Sequence, residues 1–407
     1  MSEVGCPNCG ALQMLSPDNG ATVASCGVCR SVLERSNGRS LDGALACAAA
    51  TLLLLLPANF LPFLTTSAVG VSRQSVLGSG AVYMWIDGWP WLAMAIGLFV
   101  VAFPLARFTL LTAVLGALRL GARPPWLGRA FRWANTLEQW SMPDVFLLAL
   151  WVAYTRLAAT ITVQLQAGAI CFIAAGLLSL VTRAALNRAA VWRAIRADAV
   201  LASHVAACSC LACDLIAPAS AVGGPCERCG ARLSARETDS IARTVALTTA
   251  GLLLYIPANI FAIATIPIGL HPTPYNILQG VIDLAKAGLY GLATLVFCAS
   301  FTIPFLKLVG LGYCLLSVFR RSGKRLVLKT RVYKIVEEIG RWSMVDPFVI
   351  ACFVPVMQYN NFIYGRAEPA APAFAAVVIL TMIAARTFDP RLMWDASGQR
   401  AFSRSPA

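Results

Sequence analysis

Two groups of four cysteines are the residues whose types and spacing point most directly to chemistry. The first group is Cys6, Cys9, Cys26 and Cys29, and the second is Cys210, Cys213, Cys226 and Cys229. Each group consists of two Cys-x-x-Cys pairs, and this gap lets both thiolates of a pair reach one ion. Four thiolates complete the closed tetrahedral shell of a structural zinc site. The sequence therefore predicts two structural Zn²⁺ ions, each in a small β-ribbon whose folding energy comes largely from the metal.

A redox dithiol is the alternative role for a Cys-x-x-Cys pair. Redox motifs carry a single pair in a strand–helix–strand context, whereas the pairs here come two at a time. Disulfides are also disfavoured, because we expect both groups to lie in the reducing cytosol. Cys208 lies two residues before the second group, and we treat it as a fifth thiol that could exchange with a ligand.

A second informative set of residues is polar and lies in long apolar stretches. Pro304 should bend its helix and free the carbonyl group of Ser300. Lys307 shares a helix face with Ser300, Thr302 is close in sequence, and Thr381 could meet them from another helix. An ionisable residue within a membrane span is by default a functional hypothesis, so these residues predict a polar transport site. The alternative is that Lys307 snorkels to the membrane surface.

Two aspartates at the starts of apolar stretches have two possible roles. Asp144 and Asp346 each follow a serine by three residues, which is the pattern that caps a helix N-terminus. A carboxylate there also favours the helix dipole, so capping is the preferred interpretation. Pairing with Arg107 or Lys307 would add a second role. We include Asp346 in the predicted polar network, and we regard Arg107 and Asp144 as its counterparts in the first half of the chain.

The counterparts exist because the chain is internally duplicated. The tripeptide Pro-Ala-Asn at 57–59 recurs at 257–259, and Trp-Ser-Met-Pro-Asp at 140–144 recurs as Trp-Ser-Met-Val-Asp at 342–346. Four prolines at matched positions are predicted to bend their helices: Pro57, Pro104, Pro257 and Pro304. A nearly constant offset of 200 to 202 residues over so many positions indicates two copies of one unit.

The composition places these units in a membrane. The 407 residues are 58% hydrophobic and only 13% charged, whereas soluble domains carry about 25% charged residues. Each half contains four apolar stretches for spans of about 20 residues. The predicted spans are 41–63, 89–118, 143–160 and 165–183 in the first half, and 241–266, 287–319, 345–361 and 370–387 in the second. Only a few residues separate 143–160 from 165–183, which predicts a tight hairpin.

Lysine and arginine predict the orientation. Twenty-six lie in the two termini and the loops on the same side, and three lie in the loops on the other side. Because cytosolic loops are rich in these residues, we expect both termini and both cysteine groups to be cytosolic. An even number of spans per half makes the repeats parallel. Orientation and anionic lipids also account for the net charge of +14, so we expect no nucleic-acid binding.

The predicted fold is therefore an all-α polytopic membrane protein with two parallel repeats of four transmembrane helices, each preceded by a small cytosolic zinc ribbon. The expected order is ribbon 1 (1–40), repeat 1 (41–188), an amphipathic linker (189–207), ribbon 2 (208–236), repeat 2 (237–392) and a cytosolic tail (393–407). Amphipathic surface helices are also predicted at 126–140, 188–196 and 331–341. No P-loop and no histidine-rich catalytic cluster is visible, so we expect no enzyme.

These motifs together resemble the paraquat-inducible protein A family. The resemblance rests on the doubled Cys-x-x-Cys ribbons, the Pro-Ala-Asn and Pro-x-x-Arg/Lys motifs and the Trp-Ser-Met-x-Asp motif, and it covers nearly the whole chain. It implies a subunit of a lipid transport system in the inner membrane of double-membraned bacteria. It also implies a periplasmic MCE-domain partner with a hydrophobic tunnel, and phospholipid as cargo. The polar network of the family maps onto Ser300, Lys307 and Thr381.

The chain departs from the family pattern in two details. The spacer of ribbon 1 has sixteen residues against twelve in ribbon 2, and Cys208 is additional. Neither change undermines metal binding. Two further functions remain open from the sequence: a zinc-dependent membrane scaffold or sensor that anchors its partner, and a small-molecule exporter. For the preferred function, lipid transport, the expected mechanism couples lipid movement to proton movement through the polar residues around Lys307.

Overall fold

The computed structural model describes residues 2–15, 23–35, 41–68, 71–158, 162–198, 207–268, 271–356 and 366–398. These residues are mostly helical, and six helical segments among them are long and apolar enough to cross a membrane. The six segments are Leu41–Phe60, Pro90–Arg119, Ala167–Ala185, Ser240–Ile260, Tyr290–Phe319 and Ala370–Thr387. The chain is therefore a multi-pass membrane protein.

The elements recur in the same order in both halves. The first half contains strands β1 (Ser2–Gly5), β2 (Leu12–Leu15), β3 (Val23–Ser25) and β4 (Val32–Arg35), helix α1 (Leu41–Phe60), strands β5 (Leu64–Ala68) and β6 (Val71–Ser75), helices α2 (Ser79–Ile86), α3 (Pro90–Gly97), α4 (Phe103–Arg119), α5 (Leu127–Leu137) and α6 (Pro143–Ala158), strand β7 (Thr162–Leu165), and helices α7 (Ala167–Ala185) and α8 (Arg188–Ile195).

The second half contains strands β8 (Ala207–Ser209) and β9 (Ile216–Pro218), helix α9 (Ser240–Ile260), strands β10 (Ala264–Ile268) and β11 (His271–Tyr275), helices α10 (Ile277–Lys286), α11 (Tyr290–Phe297), α12 (Ile303–Phe319), α13 (Leu326–Ile339) and α14 (Val345–Val356), strand β12 (Arg366–Ala367), and helices α15 (Ala370–Thr387) and α16 (Arg391–Ala396). Short 3₁₀ turns lie at Ala219–Ala221 and Gly340–Met344.

The third apolar helix of each half is described over fewer residues than the other three. The described part is 16 residues for α6 and 12 for α14, whereas a straight crossing takes about 20. Residues 159–160 of one predicted span and 357–361 of the other lie outside the described residues. Three full-length apolar helices per half are thus present, and a fourth full span in each half stays a prediction.

Two three-stranded antiparallel sheets lie at the helix ends remote from the cysteine groups, and the all-α prediction missed both. Their strand orders are β6-β5-β7 and β11-β10-β12. The predicted spans 41–63 and 241–266 were too long, because their helices end at Phe60 and Ile260 and strands follow. The connection expected to be a tight hairpin contains strand β7, which pairs with β5, while α6 and α7 pack on each other. Hydropathy alone cannot separate an apolar strand from the end of an apolar helix.

A wide turn interrupts the second long helix of each half. Leu98–Ala102 joins α3 to α4, and Cys298–Thr302 joins α11 to α12, both as π-helix. Pro104 and Pro304 follow each turn directly. Proline has no N–H to donate to the preceding turn, so the expected helix irregularity takes the form of a π turn. Such turns are rare and occur frequently at functional sites.

The other two prolines lie inside α1 and α9 near their ends. The neighbouring asparagines bond back to their own helix: Asn59 Nδ2 donates to the Leu55 carbonyl over 2.6 Å, and Asn259 Nδ2 donates to the Tyr255 carbonyl over 2.7 Å. These amide groups stabilise the last helical turns at matched positions. They support a structural role for the Pro-Ala-Asn motif.

Helices α5, α8 and α13 occupy the three segments predicted to be amphipathic. In α13 the sequence places Val332, Ile335, Val336 and Ile339 on one helix face, which predicts an apolar face there. The structure buries Val336, but it leaves Ile335 and Ile339 exposed. Tyr333 is buried instead, because α13 packs on α12 and α15. The packed face is thus rotated from the face that the sequence predicted.

The two halves meet through their third apolar helices, α6 and α14. The Phe146 and Phe348 rings lie 5.5 Å apart between centroids. Helix α2 of the first half also packs closely on α14, since a Cβ atom at Gly80 would lie 2.3 Å from the Ala351 carbonyl oxygen. This packing joins the halves along a shared apolar seam.

Each cysteine ribbon packs on the half that it does not precede. Ribbon 1 contacts the second half: Cys6 and Cys9 are buried in a cluster with Trp394, and the Arg391 Nε atom donates to the Pro7 carbonyl over 3.1 Å. Ribbon 2 contacts the first half at Gly128, where a Cβ atom would lie only 1.8 Å from the Arg228 carbonyl oxygen. The ribbons therefore cross over and tie the halves together.

We predict that Gly128→Ala loosens ribbon 2 without affecting ribbon 1. The added methyl group has no room against the backbone of Arg228, and such overpacking costs about 1–3 kcal/mol. Amide hydrogen exchange should rise in residues 207–236 and stay unchanged in residues 2–35. Gly116→Ala is the matched control, because its Cβ atom would meet nothing within 4 Å. Equal amide hydrogen exchange of residues 207–236 in the Gly128→Ala and Gly116→Ala variants would contradict the close contact between Gly128 and Arg228.

Candidate functional site

The structure brings the first four cysteines together. Cys6 and Cys9 follow β1, and Cys26 and Cys29 follow β3. The Cys6 and Cys29 sulfurs are 3.5 Å apart, and those of Cys9 and Cys26 are 3.6 Å apart. All four are buried, and their Sγ atoms lie within 4.8 Å of one another. Gln13 Nε2 donates to the Cys26 sulfur over 3.1 Å, which orients a thiolate.

The second four cysteines form a matching cluster beside β8 and β9. Cys210 lies 3.6 Å from Cys229, and Cys213 lies 3.6 Å from Cys226, measured between sulfurs. All four are buried. Cys208 does not join them, because its Sγ atom faces the Pro218 carbonyl at 3.8 Å. The suggested exchange of Cys208 with a ligand therefore has no support from this geometry.

All four knuckles place a left-handed residue directly after the second cysteine. The φ angles are +79° at Gly10, +59° at Arg30, +56° at Asp214 and +66° at Gly230. In each knuckle the N–H group of this residue donates to the carbonyl of the first cysteine. Glycine adopts this conformation freely, whereas other L-residues rarely do. The turn is thus imposed by the cysteine geometry, even where the residue is not glycine.

The clusters fit a metal ion. Four sulfurs at 2.3 Å from one zinc ion would lie about 3.8 Å from one another, close to the observed 3.5 and 3.6 Å. Four thiolates without open positions form a closed structural shell rather than a catalytic one. Either cluster could therefore hold a metal ion and stabilise a ribbon that is too small to have its own core.

The predicted polar residues of the second half are buried, but they do not bond to one another. Lys307 is only 1% exposed, and its Nζ atom donates to the Gly340 carbonyl over 3.1 Å. Ser300 donates to the Val296 carbonyl and Thr381 to the Val377 carbonyl, over 2.7 and 2.9 Å. Within the described residues no hydrogen bond joins the three side chains. The Lys307 ammonium group is buried in the bundle rather than at its surface.

Thr302 lies in the π turn and is half-buried. Asp346 lies in the first turn of α14 and is 8% exposed. The hydrogen-bond partners of Ser300, Lys307 and Thr381 in the structure are backbone carbonyls, and the five residues stay a predicted set.

Gly340 makes room for Lys307. A Cβ atom at Gly340 would lie 3.4 Å from the Lys307 Cε atom. The residue at the matched position of the first half, 202 residues earlier, is Glu138. Glu138 lies 3.6 Å from Arg107, the counterpart of Lys307. A buried cation thus faces a carboxylate in one half and a backbone carbonyl in the other.

Glu138 organises a cluster of arginines that the sequence did not predict. Its carboxylate pairs with Arg188 at 2.5 Å and with Arg183 at 3.2 Å, besides Arg107. Burial raises the pKa of Glu138, but the three arginines lower it more, so its pKa lies below the ordinary value. The sequence feature that could have revealed this cluster is Arg107, because a buried arginine requires a carboxylate nearby.

The aspartate predictions need two corrections. Asp144 pairs with Arg183 at 3.3 Å and with Arg341 at 3.7 Å, and not with Arg107. The hydroxyl groups of Ser141 and Ser343 make no hydrogen bond, so the expected serine caps are absent. Tertiary packing explains both changes, because it brings the end of α7 and the turn at Arg341 next to Asp144. The Arg341 pair also links the two halves.

We predict that Arg30→Gly stabilises ribbon 1 relative to Arg30→Ala. Both changes remove the charge, but only glycine relieves the left-handed backbone, which costs other residues about 1–2 kcal/mol. The melting temperature of the metal-loaded protein should be higher for the glycine variant, and zinc release to a chelator should be slower. Equal values for the two variants would show that the φ angle of +59° stores no strain.

We predict that Glu138→Gln destabilises the protein at neutral pH by about 3–5 kcal/mol, because it leaves the buried Arg107 without its carboxylate. The lowered pKa of Glu138 means that its stabilisation is present above the ordinary pKa of 4.5 and is lost as the pH falls through the lowered pKa. Acid should therefore weaken the wild type more than the variant.

The measurement is the free energy of unfolding in detergent micelles, followed from neutral to acidic pH. Glu227→Gln is the control, since Glu227 is an exposed residue in an ion pair with the exposed Arg196; exposed pairs contribute little. A parallel acid response of the wild type and the Glu138 variant would contradict a stabilising charge at Glu138.

Comparison with known proteins gives consistent relatives over most of the chain. The chain is similar to "Intermembrane transport protein PqiA" of Escherichia coli (strain K12), with 29% identity over 96% of this chain and 95% of the relative. It is also similar to "Lipophilic envelope-spanning tunnel protein A" of the same strain, with 29% identity over 98% and 92%. A "Probable intermembrane transport protein" of Haemophilus influenzae is 26% identical over 91% and 90%.

No solved structure gives a significant match to the chain. The model of the family "Paraquat-inducible protein A" matches twice, over residues 41–196 and 241–397. The two matches cover most of the chain, and each contains one set of membrane helices. This agrees with the internal duplication and with the matched motifs of the two halves. The chain therefore belongs to the paraquat-inducible protein A family.

Proposed function

We propose that this protein is the inner-membrane subunit of a bacterial system that moves phospholipid between the inner membrane and a periplasmic MCE-domain protein, without being an enzyme. Similarity over nearly the full length to relatives named as intermembrane transport proteins carries the proposal. The division into two ribbons and two parallel repeats of four spans, with the boundaries predicted above, is part of it.

The proposed orientation follows from the basic residues. Both ribbons and both termini are cytosolic, because the lysines and arginines concentrate on that side. The two three-stranded sheets then face the periplasm. They are the surfaces of this chain nearest to a periplasmic partner, and the MCE-domain protein would receive lipid there. Each cysteine cluster binds Zn²⁺ as a structural ion.

In this proposal, the polar residues around Lys307 couple lipid movement to proton movement. Among the described residues, no carboxylate lies within ion-pair distance of Lys307, and its hydrogen-bond partner is the Gly340 carbonyl. A buried ammonium group without a counter-charge is costly. Gain or loss of its proton would therefore bias the packing of α12 against the turn at Gly340. The neighbouring π turn at Cys298–Thr302 provides a helix segment that can rearrange.

We expect Lys307→Ala and Thr381→Ala to abolish function while leaving the protein level unchanged. The assay is complementation of a strain whose envelope defect arises from loss of this protein. Lys286→Ala is the matched control, since Lys286 is an exposed lysine at the end of α10. Full complementation by both the Lys307 and Thr381 variants would refute the coupling role.

A scaffold or zinc-dependent sensor is the second candidate, and the crossed ribbons favour it because they connect both halves. A scaffold predicts that Cys226→Ser loses the MCE-domain partner in co-purification and that Lys307→Ala behaves as wild type in complementation. Lipid transport predicts instead that Lys307→Ala fails in complementation. Direct efflux measurements in vesicles separate the third possibility, a small-molecule exporter, from lipid transfer.

A further inference from the structure

A cavity of about 1060 Å³ lies at the ribbon side of the bundle, and Gly340, whose carbonyl accepts from Lys307, is part of its lining. Ribbon 2 covers it, α5 and α13 form its walls, and the last turns of α7 and α15 contribute to its base. Small-molecule sites in proteins usually have volumes of about 300–1,000 Å³. The cavity therefore has room for a ligand larger than a single ion.

Arginine dominates the charge of the cavity. Six arginines line it: Arg132, Arg183, Arg188, Arg232, Arg341 and Arg386. Four glutamates line it as well: Glu138, Glu237, Glu337 and Glu338. Six against four leaves a difference of two positive charges. Both halves of the chain and ribbon 2 contribute to the lining, so the charge is assembled only in the folded protein.

Three of the glutamates are already engaged. Glu138 pairs with Arg183 and Arg188, Glu338 pairs with Arg341 at 3.4 Å, and Glu337 accepts a hydrogen bond from Gln139 over 3.4 Å. Burial raises the pKa of Glu337, whereas the hydrogen bond from Gln139 and the charge of Arg386 lower it. Glu138 and Glu338 thus already have arginine partners.

The remaining arginines are available to a ligand. Within the described part of the chain, no carboxylate lies within ion-pair distance of Arg132, Arg232 or Arg386. Guanidinium groups bind phosphate oxygens through paired, charge-assisted hydrogen bonds. We propose that this cavity is a binding site for a phosphate ester, with Arg132 and Arg386 as its principal contacts.

The position of the cavity admits two sources of the phosphate ester. Arg183 and Arg386 lie in the last turns of α7 and α15, at the depth where lipid headgroups meet a membrane helix. Met382 and Ala385 add apolar surface to the lining. A phospholipid headgroup and a soluble phosphate ester share the chemistry that the arginines recognise. The site does not depend on the proposed transport function, because binding is measured on the purified protein.

The test is a titration of the detergent-solubilised full-length protein with glycerol 3-phosphate and with dihexanoyl phosphatidylglycerol. Dihexanoylglycerol, which lacks the phosphate, is the control ligand. We expect saturable binding of the phosphate ligands and at least about tenfold weaker binding by Arg132→Gln/Arg386→Gln, which loses two charge-assisted contacts. Arg123→Gln is the matched control, since Arg123 is exposed and is not one of the lining residues.

If the lipid binds more tightly than glycerol 3-phosphate, the site is supported and the phosphate ester comes from the membrane. If the two ligands bind equally, the site is supported and the phosphate ester is soluble. Unchanged binding by the double variant, equal binding of dihexanoylglycerol, or no saturable binding overturns the proposal. Glu338→Gln guards against a double variant that fails to fold. It removes from the lining an exposed carboxylate that pairs with Arg341. Binding should therefore strengthen about twofold or more, and unchanged or weaker binding contradicts the site.

Discussion

A hydrocarbon layer offers no water to a polar group, so every charge inside it needs a partner from the protein itself. Arg107 and Lys307 stand at matched positions and meet this constraint in different ways. Arg107 lies beside the Glu138 carboxylate at 3.6 Å. Lys307 reaches a backbone carbonyl over 3.1 Å, at the glycine that replaces Glu138 in the second half. The arrangement of the surrounding helices follows from these two solutions.

The buried cations of the duplicated halves therefore differ in their electrostatic surroundings. In the first half, three arginines surround one buried carboxylate, and such a network is expensive to break. In the second half, the buried ammonium group has one neutral hydrogen-bond partner among the described residues, and it lies in the helix that directly follows a π turn. In the proposed coupling, the first half is the rigid support, and the charge state of Lys307 changes the packing of the second half. The apolar seam between α6 and α14 connects the two.

The crossed ribbons extend this connection on the other side of the bundle. Ribbon 1 is bound by Arg391 near the end of the chain, and ribbon 2 seats on Gly128 in the first half. A metal ion in each cluster would therefore stabilise the half that the ribbon contacts, which is not the half that follows it in sequence. Ribbon 2 also covers the arginine-lined cavity, so its folding completes that lining.

The sequence alone determined the features that depend on local spacing and hydropathy: the cysteine pairs, the duplication and most apolar helices. It missed the two loop sheets, because apolar strands next to apolar helices have no distinct hydropathy signal. Only the tertiary structure decided that Glu138 pairs with Arg107 and that Asp144 pairs with Arg341. It also decided that Gly340 receives Lys307 and that the ribbons cross over. These contacts join residues far apart in the chain, and the packing of helices sets such distances, whereas the order of residues does not.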